Sequence, residues 1–193
     1  MPKFVHLHNH TDFSLQDAAQ SIDMMLDRVE ELGMKSIAVT EHGNLFSMVP
    51  FYEKAKKRGI KPIIGCEMYI SPGDHSERKR SIKTGKAYHH LVLLAQNQKG
   101  YQNLLKLVSI GYTEGFYYKP RVDKKHLEKY NEGIIATSAC LAGEVNYYAA
   151  RNDYETAKKV ALEYASIFPD RFYLEVQNHT IPEELASHEI LIK

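Results

Sequence analysis

Short apolar runs alternate with amphipathic stretches along almost the whole chain, and this alternation limits the fold more than any other feature of the sequence. Phe4-Val5-His6-Leu7-His8, Ser36-Ile37-Ala38-Val39-Thr40, Pro62 to Ile70, His90 to Ala95, Gly133 to Ser138 and Phe172 to Val176 read as six strands. Between them, Ile22, Met25, Leu26, Val29 and Leu32 recur at helical spacing, with Ser21 as N-cap and Gly33 as stop. Helices are also predicted over 47–58, 99–113 and 154–168, and from Pro182 onward. Strands separated by helices predict an α/β fold with a largely parallel sheet. Periodicity alone does not separate an open sheet from a closed barrel. Several polar candidates fall directly after strands, which favours a barrel, where functional groups collect at the strands' C-terminal ends.

Charge and cysteine content exclude some classes. Twenty-five Lys and Arg against 24 Asp and Glu exclude a uniformly basic coat, though not a local basic patch. No apolar run reaches the roughly 18 residues of a membrane span. Two cysteines give no disulfide framework, so a reducing, cytoplasmic setting is expected. Histidine is unusually frequent, with ten in 193 residues.

Three of those histidines lie at i, i+2 and i+4 in His6-Leu7-His8-Asn9-His10, a spacing that lets them share one face of a strand. Imidazole is the commonest ligand for zinc-like ions, so this run predicts metal binding. Asp12 and Asp17 follow in the next loop. Glu41 and His42 close the second strand, suiting either a barrel mouth or a helix-entry loop. Glu67 sits inside an apolar strand, which is costly unless it is paired, metal-bound or on an exposed edge. Cys66, its neighbour, points to the opposite face. Of His89 and His90 only one can face inward, and a position at a strand's start is awkward for a barrel ligand. Cys140 follows the fifth strand and reads as a buried hydrophobe, a thiolate ligand or a nucleophile. His179, after the sixth strand, is expected near the same mouth. Arg78, Lys79, Arg80, Lys83 and Lys86 form a basic loop that either holds phosphates or is simply solvated. Mixed histidine and carboxylate ligands beyond four imply a multinuclear site, the kind that clamps a phosphoester. Phosphate-binding-loop, dinucleotide and nucleophile-elbow motifs are all missing from the sequence.

His6 to Thr11 together with Thr40-Glu41-His42-Gly43-Asn44 resembles the polymerase-and-histidinol-phosphatase (PHP) family. Gly59 to Glu67, His90 to Ala95, Gly100 to Leu104, Glu114 to Arg121 and Arg171 to His179 are similar to its polymerase branch, the N-terminal PHP domains of bacterial DNA polymerase III alpha subunits. The resemblance covers essentially the whole chain. It implies a distorted seven-stranded TIM-like β/α barrel holding up to three divalent ions (zinc, manganese, iron or magnesium). It implies His8, His10, Asp17, His42, Glu67, His90 and Cys140 as ligands, with His8, His10, His42 and Glu67 acting catalytically through the ions. His6 and Glu41, where the family often has aspartate, would support the ligands, as would His179. The family's closing Asp-x-His follows a seventh strand that this sequence does not reach. Residues 1–193 are therefore expected to be one PHP domain, incomplete at its C-terminal end.

Three functions follow from the resemblance. The first is a metal-dependent phosphoesterase, a 3′–5′ exonuclease within a replicative DNA polymerase of the bacterial cytoplasm. Its partners would be DNA, the remaining polymerase domains and other subunits of the polymerase III holoenzyme, with no membrane. The second is a metal-stabilised scaffold that supports the polymerase and docks a proofreading subunit. The third is a stand-alone phosphatase for small monoesters, against which the run Phe116-Tyr117-Tyr118-Lys119-Pro120-Arg121 argues.

Overall fold

The computed structural model describes residues 4–193. Six strands form one sheet: β1 (Ser36–His42), β2 (Lys61–Ile70), β3 (His89–Ala95), β4 (Arg121–Val122), β5 (Ile134–Thr137) and β6 (Phe172–Tyr173). Among the described residues, seven α-helices and one 3-10 turn (Asp12–Ser14) accompany them: α1 (Ile22–Glu31), α2 (Met48–Lys57), α3 (Gln98–Thr113), α4 (Lys124–Lys129), α5 (Glu144–Ala149), α6 (Tyr154–Ile167) and α7 (Pro182–Leu191). The α/β class expected from the alternation is the one observed. Helix starts follow local chemistry: the side chains of Ser21, Asn97, Asp123 and Asp153 each accept a hydrogen bond from a backbone N–H of the first turn.

The sheet order is β1-β2-β3-β5-β6, with β4 beside the end of β2. β1 and β4 run parallel to β2, and β6 runs parallel to β5, but β3 is antiparallel to both β2 and β5. The largely parallel sheet expected from the sequence therefore has one reversed member. Its consequence is positional: the start of β3 lies at the same end of the sheet as the ends of β1, β2 and β5.

The first predicted strand is not a strand. Residues 4–10 run beside β1 with a bend at His8, the Ala38 N–H bonded to the His6 carbonyl and the Thr40 N–H to the Asn9 carbonyl. Three residues on one side match two on the other, so no regular ladder forms. The sixth strand is shorter than predicted, ending at Tyr173. The short helices α4 and α5 carry too few turns to show a helical period in the sequence.

The main core lies on the outer face of the sheet, where Met68, Ile70, Leu91, Leu93, Leu104, Leu107, Val160 and Phe168 pack together. A second cluster joins α1 and α2 to β1 through Leu26, Val29, Val39 and Phe51. The other face carries a thin apolar layer of Ala38, Val92, Leu94 and Ala139. The sheet curls around this layer until its two ends approach. His8, beside β1, meets Glu175, just after β6, at 2.7 Å.

Arg121 ties the loops above this sheet together. It is fully buried, and its guanidinium donates to the carbonyls of Gly115, Ala87, His75 and Glu77 at 2.9–3.1 Å. It also lies over the Tyr117 ring, 4.9 Å from the centroid. Methionine at this position keeps the volume but leaves four carbonyls without a donor. Arg121→Met is expected to lower unfolding free energy by about 3 kcal/mol, read from the midpoint of urea denaturation. An unchanged midpoint would show that water replaces the guanidinium at little cost.

Candidate metal centre

Strand register decides which side chains meet at the mouth of the curled sheet. His42 pairs with Glu67 across β1 and β2, and Tyr69 pairs with His90 across β2 and β3. Opposed residues share a face, as do residues two apart on a strand, so His42, Glu67, Tyr69 and His90 all point to the inner face. His89, opposite Ile70, points the other way and packs edge-on against Tyr147. Cys66 likewise faces outward, where its thiol lies against the Glu41 carbonyl. Gly43 lets the chain turn away after β1: its φ is +63°, and a Cβ there would lie 2.8 Å from Pro120 and Tyr69 side-chain atoms.

Glu67 is the centre of the site. Its residue exposure is 1%, and four imidazoles surround its carboxylate. Oε1 lies 3.3 Å from His8 Nε2 and 2.9 Å from His90 Nδ1, while Oε2 lies 3.2 Å from His10 Nε2 and 3.0 Å from His42 Nδ1. The Cys140 thiol sits 3.4 Å from Oε1 and 3.5 Å from His90 Nδ1. Asp17 reaches in from the first loop, with Oδ2 2.5 Å from His42 Nε2. The structure thus gathers His8, His10, Asp17, His42, Glu67, His90 and Cys140 in one cluster. The rings are themselves packed: His10 stacks on His42 at 4.2 Å, and His42 stacks on Tyr69 at 5.9 Å.

Supporting residues hold these groups in place. Glu41 is buried and accepts hydrogen bonds from the Thr11 amide, the Thr11 hydroxyl and the Ser14 hydroxyl. The Ser14 oxygen in turn accepts from the His42 amide at 3.0 Å. Glu41 therefore fixes the loop that carries Asp17 against the strand that carries His42. Cys140 is set by α5, where the Asn146 amide donates to the carbonyls of Ala139 and Cys140 at 2.7 and 3.0 Å.

Glu175 is a functional residue that the sequence reading missed. It receives the Thr137 hydroxyl on one oxygen and His8 Nδ1 and the Gln177 amide, each at 2.7 Å, on the other. A carboxylate that orients the far nitrogen of a ligand histidine is the usual arrangement behind metal sites. Its signal was available: Leu174-Glu175-Val176 is an acid inside an apolar run, the same feature that singled out Glu67.

Two expected supporting residues lie elsewhere. His6 is exposed and packs edge-on against Phe4, because the irregular pairing beside β1 breaks the strict alternation of the histidine run. His179 is 65% exposed in its side chain and bonds Glu184 of α7 at 2.7 Å, because the strand before it stops at Tyr173. The basic loop does not line the cluster either. Lys79, Arg80 and Lys83 border a separate cleft with Lys124, Glu144 and Lys159, and Arg78 and Lys86 are exposed. Only Arg80 approaches, with its guanidinium 5.8 Å from the Tyr118 ring.

The donor set fits metal ions. Among the described residues, His10 Nδ1, His42 Nδ1 and Glu67 Oε2 are buried without a hydrogen-bond partner. The last two stand 3.0 Å apart yet are not aligned to bond each other. Buried polar atoms crowded together but not bonded are arranged to share a ligand rather than a proton. Electrostatics agree. Burial opposes ionisation of Glu67, but the close-packed imidazoles of His10, His42, His8 and His90 outweigh it and hold the carboxyl well below its ordinary range. Burial also opposes charge on His8, but Glu175 and Glu67 outweigh it and push its pKa up to about 10. His42 is raised in the same way by Glu67 and Asp17 against its burial. Burial, with Glu67 close by, pushes the Cys140 thiol up.

A cleft of about 600 Å³ opens directly onto the cluster. Asp17, His42 and His90 form its floor, and Phe13, Tyr69, Tyr88, Tyr112, Phe116, Tyr118 and Lys119 line its walls. Phe116 and Tyr118 are more than half exposed.

A buried carboxylate ringed by imidazoles, with an acid and a thiol at its edge, at the mouth of a curled α/β sheet, defines a metal-binding α/β domain. The profile of the PHP domain family matches residues 6–179, and the chain belongs to that family. It is 50% identical over 98% of its length to DNA polymerase III subunit alpha of Helicobacter pylori strain 26695, covering 16% of that protein. It is 47% identical to the corresponding subunit of Borreliella burgdorferi and 46% identical to that of Aquifex aeolicus, covering 99% and 98% of this chain and 17% of each relative. The chain thus spans about one-sixth of the length of these relatives. Among solved structures, an amidohydrolase from Chromobacterium violaceum overlaps 56% of this chain and 33% of its own, at 23% identity and a TM-score of 0.40. That overlap is too shallow to inform activity. No helix among the described residues is long and apolar enough to cross a membrane.

The raised His8 sets a pH dependence. Below about pH 10 the metal-free site holds a proton on His8 that an entering cation must displace. Metal affinity is expected to strengthen as pH rises from 6 to 9, by roughly tenfold per unit for each proton displaced. Calorimetric zinc titrations in buffers of different ionisation enthalpy would read the released protons directly. Affinity independent of pH would show that the imidazoles are already neutral.

Proposed function

We propose that this domain is a metal-dependent phosphoesterase that removes nucleotides from the 3′ end of a DNA strand, as part of a bacterial DNA polymerase III alpha subunit. Residues 1–193 are read as one PHP domain of that subunit. The longer protein would carry out DNA-directed DNA synthesis in the cytoplasm, together with DNA and the other holoenzyme subunits. The printed name shared by the relatives supports this parentage.

One observation carries the substrate class: the cleft onto the metal cluster is walled by aromatic rings. A small phosphate monoester would need a compact, polar pocket. Exposed rings such as Phe116 and Tyr118 instead suit unpaired bases, since every base offers a face to stack. Lys119, whose ammonium lies 5.6 Å from the Tyr69 ring and 3.3 Å from Gln16 Oε1, supplies a cation for the strand's phosphates.

His8, His10, Asp17, His42, Glu67, His90 and Cys140 would hold up to three divalent ions. An imidazole-rich set with one thiol favours zinc, manganese or iron over magnesium, which prefers all-oxygen sites. When bound, such ions stabilise charge on the attacking and leaving oxygens of an in-line phosphoryl displacement. The chain's own residues do the rest. Glu175 fixes His8 with Nε2 facing the site, Glu41 fixes Asp17 against His42, and the aromatic walls orient the strand so that its terminal phosphodiester meets the cluster.

The test compares release of 3′-terminal nucleotides from single-stranded DNA with hydrolysis of p-nitrophenyl phosphate, with manganese or zinc present. Phe116→Ala and Tyr118→Ala are each expected to raise KM for DNA roughly tenfold, the scale of one lost base stack, and to leave the small monoester unaffected. Equal losses on both substrates would remove the case for a polynucleotide. Metal binding with neither activity would mean that the domain is a scaffold.

A further inference from the structure

We propose that His75, Asp123 and His126 form a second divalent-metal site, separate from the cluster around Glu67. The three residues come from two distant parts of the chain. His75 lies in the loop after β2, and Asp123 and His126 lie at the start of α4. One carboxylate faces both rings: Asp123 Oδ2 is 3.0 Å from His75 Nδ1, and Oδ1 is 2.8 Å from His126 Nδ1. The two rings meet edge to face with centroids 4.3 Å apart. One nitrogen from each ring and one carboxylate oxygen lie close enough to surround a single ion.

The site is built before any ion arrives. The Asp123 oxygens each accept a backbone N–H at 3.1 Å, one from His75 and one from His126, so the carboxylate cannot rotate. Asp123 is buried, and the two backbone bonds hold both of its oxygens in place against the rings. His75 is bordered by more negative charge than its ring can answer. Asp74 Oδ1 lies 3.6 Å from Nδ1, and Glu114 Oε2 lies 3.8 Å from Nε2. The cations nearby are Lys125, whose exposed ammonium is 3.9 Å from Asp74, and Arg121, which gives its guanidinium hydrogens to carbonyls, His75's among them. Three carboxylates against these two cations leave a net demand for positive charge.

Two imidazoles and one carboxylate are a ligand set for zinc or ferrous iron. With an ion on the two Nδ1 atoms, each ring carries its hydrogen on Nε2. At His75, Nε2 lies 3.8 Å from Glu114 Oε2, and a small movement of that exposed side chain would complete the carboxylate–histidine–metal arrangement that steadies metal sites. His75 and His126 are partly exposed, at 12% and 20% of their side chains, so an ion can enter from solvent. An ion here would clamp the loop 71–88, which carries the basic run Arg78 to Lys86, onto α4.

The experiment measures zinc per chain by elemental analysis, and amide hydrogen exchange over 71–88, in the purified full chain with and without EDTA. Zinc is expected to slow exchange in 71–88. His126→Ala is expected to lose one equivalent of zinc and all zinc-dependent protection of that loop. His42→Asn, which weakens only the cluster around Glu67, is expected to keep that protection. Equal zinc in wild type and His126→Ala, or exchange in 71–88 that ignores zinc, would reduce the trio to a hydrogen-bonded network without an ion. Should His126→Ala fail to fold, wild type and His42→Asn decide the matter. Zinc protection of 71–88 in both supports the site, and its absence from either overturns it.

Discussion

A carboxylate at 1% exposure in the middle of an apolar strand would normally neutralise itself by taking up a proton. Glu67 does not, because four imidazoles press against its two oxygens. Much of the architecture can be understood as the means of bringing those imidazoles together. His42 comes from β1, His90 from β3, and His8 and His10 from the segment that runs beside β1. Glu67 and the histidines are mutually dependent: remove the acid and the rings repel or lie idle, remove the rings and the acid is buried unpaired. Such a cluster is worth little as a stability device, since buried charges cost about as much to desolvate as their attraction returns. Its arrangement is better explained by what it can hold.

The reversal of β3 is the topological step that makes the cluster possible. In a fully parallel sheet the start of that strand would lie at the far end, and His90 would be a strand's length from Glu67. Running antiparallel, β3 places His90 opposite Tyr69 and beside the carboxylate. The curl of the sheet supplies the other half. Its first and last edges are joined through His8 and Glu175, so the cluster residue that comes earliest in the chain is oriented by a carboxylate that follows the last strand. A break at either edge would loosen both.

Around this centre the surface is divided by chemistry. Aromatic residues gather at the cleft over the cluster around Glu67, while the basic loop borders a different cleft of mixed charge. Arg80 over Tyr118 is the contact between the two. Arg121 holds the loops on both sides from beneath through its four carbonyl bonds, which couples the shape of the aromatic wall to that of the basic loop.

The sequence by itself determined the class of fold and, through its resemblance to the PHP family, nominated most of the residues that meet in the cluster. Helical spacing in Ile22 to Leu32, with Ser21 as cap, yields α1 at those positions because capping and amphipathicity are local. Apolar runs such as Pro62 to Ile70 are strands for the same local reason, and an acid inside one of them, Glu67, announces an unusual partner before any fold is known. Strand alternation separates Cys66 from Glu67 and His89 from His90, although it does not say which of each pair faces inward. The tertiary structure decided that, because direction and register are set by pairing with other strands, not by the residues within one. The antiparallel course of β3 turned an awkward strand-start histidine into a neighbour of Glu67. The broken ladder beside β1 put His6 outside while His8 and His10 stayed in. The role of Glu175 and the meeting of His75 with Asp123 and His126 were likewise beyond local reading. Each joins residues far apart in the chain, and only the closure of the sheet and the course of its loops brings such residues within bonding distance.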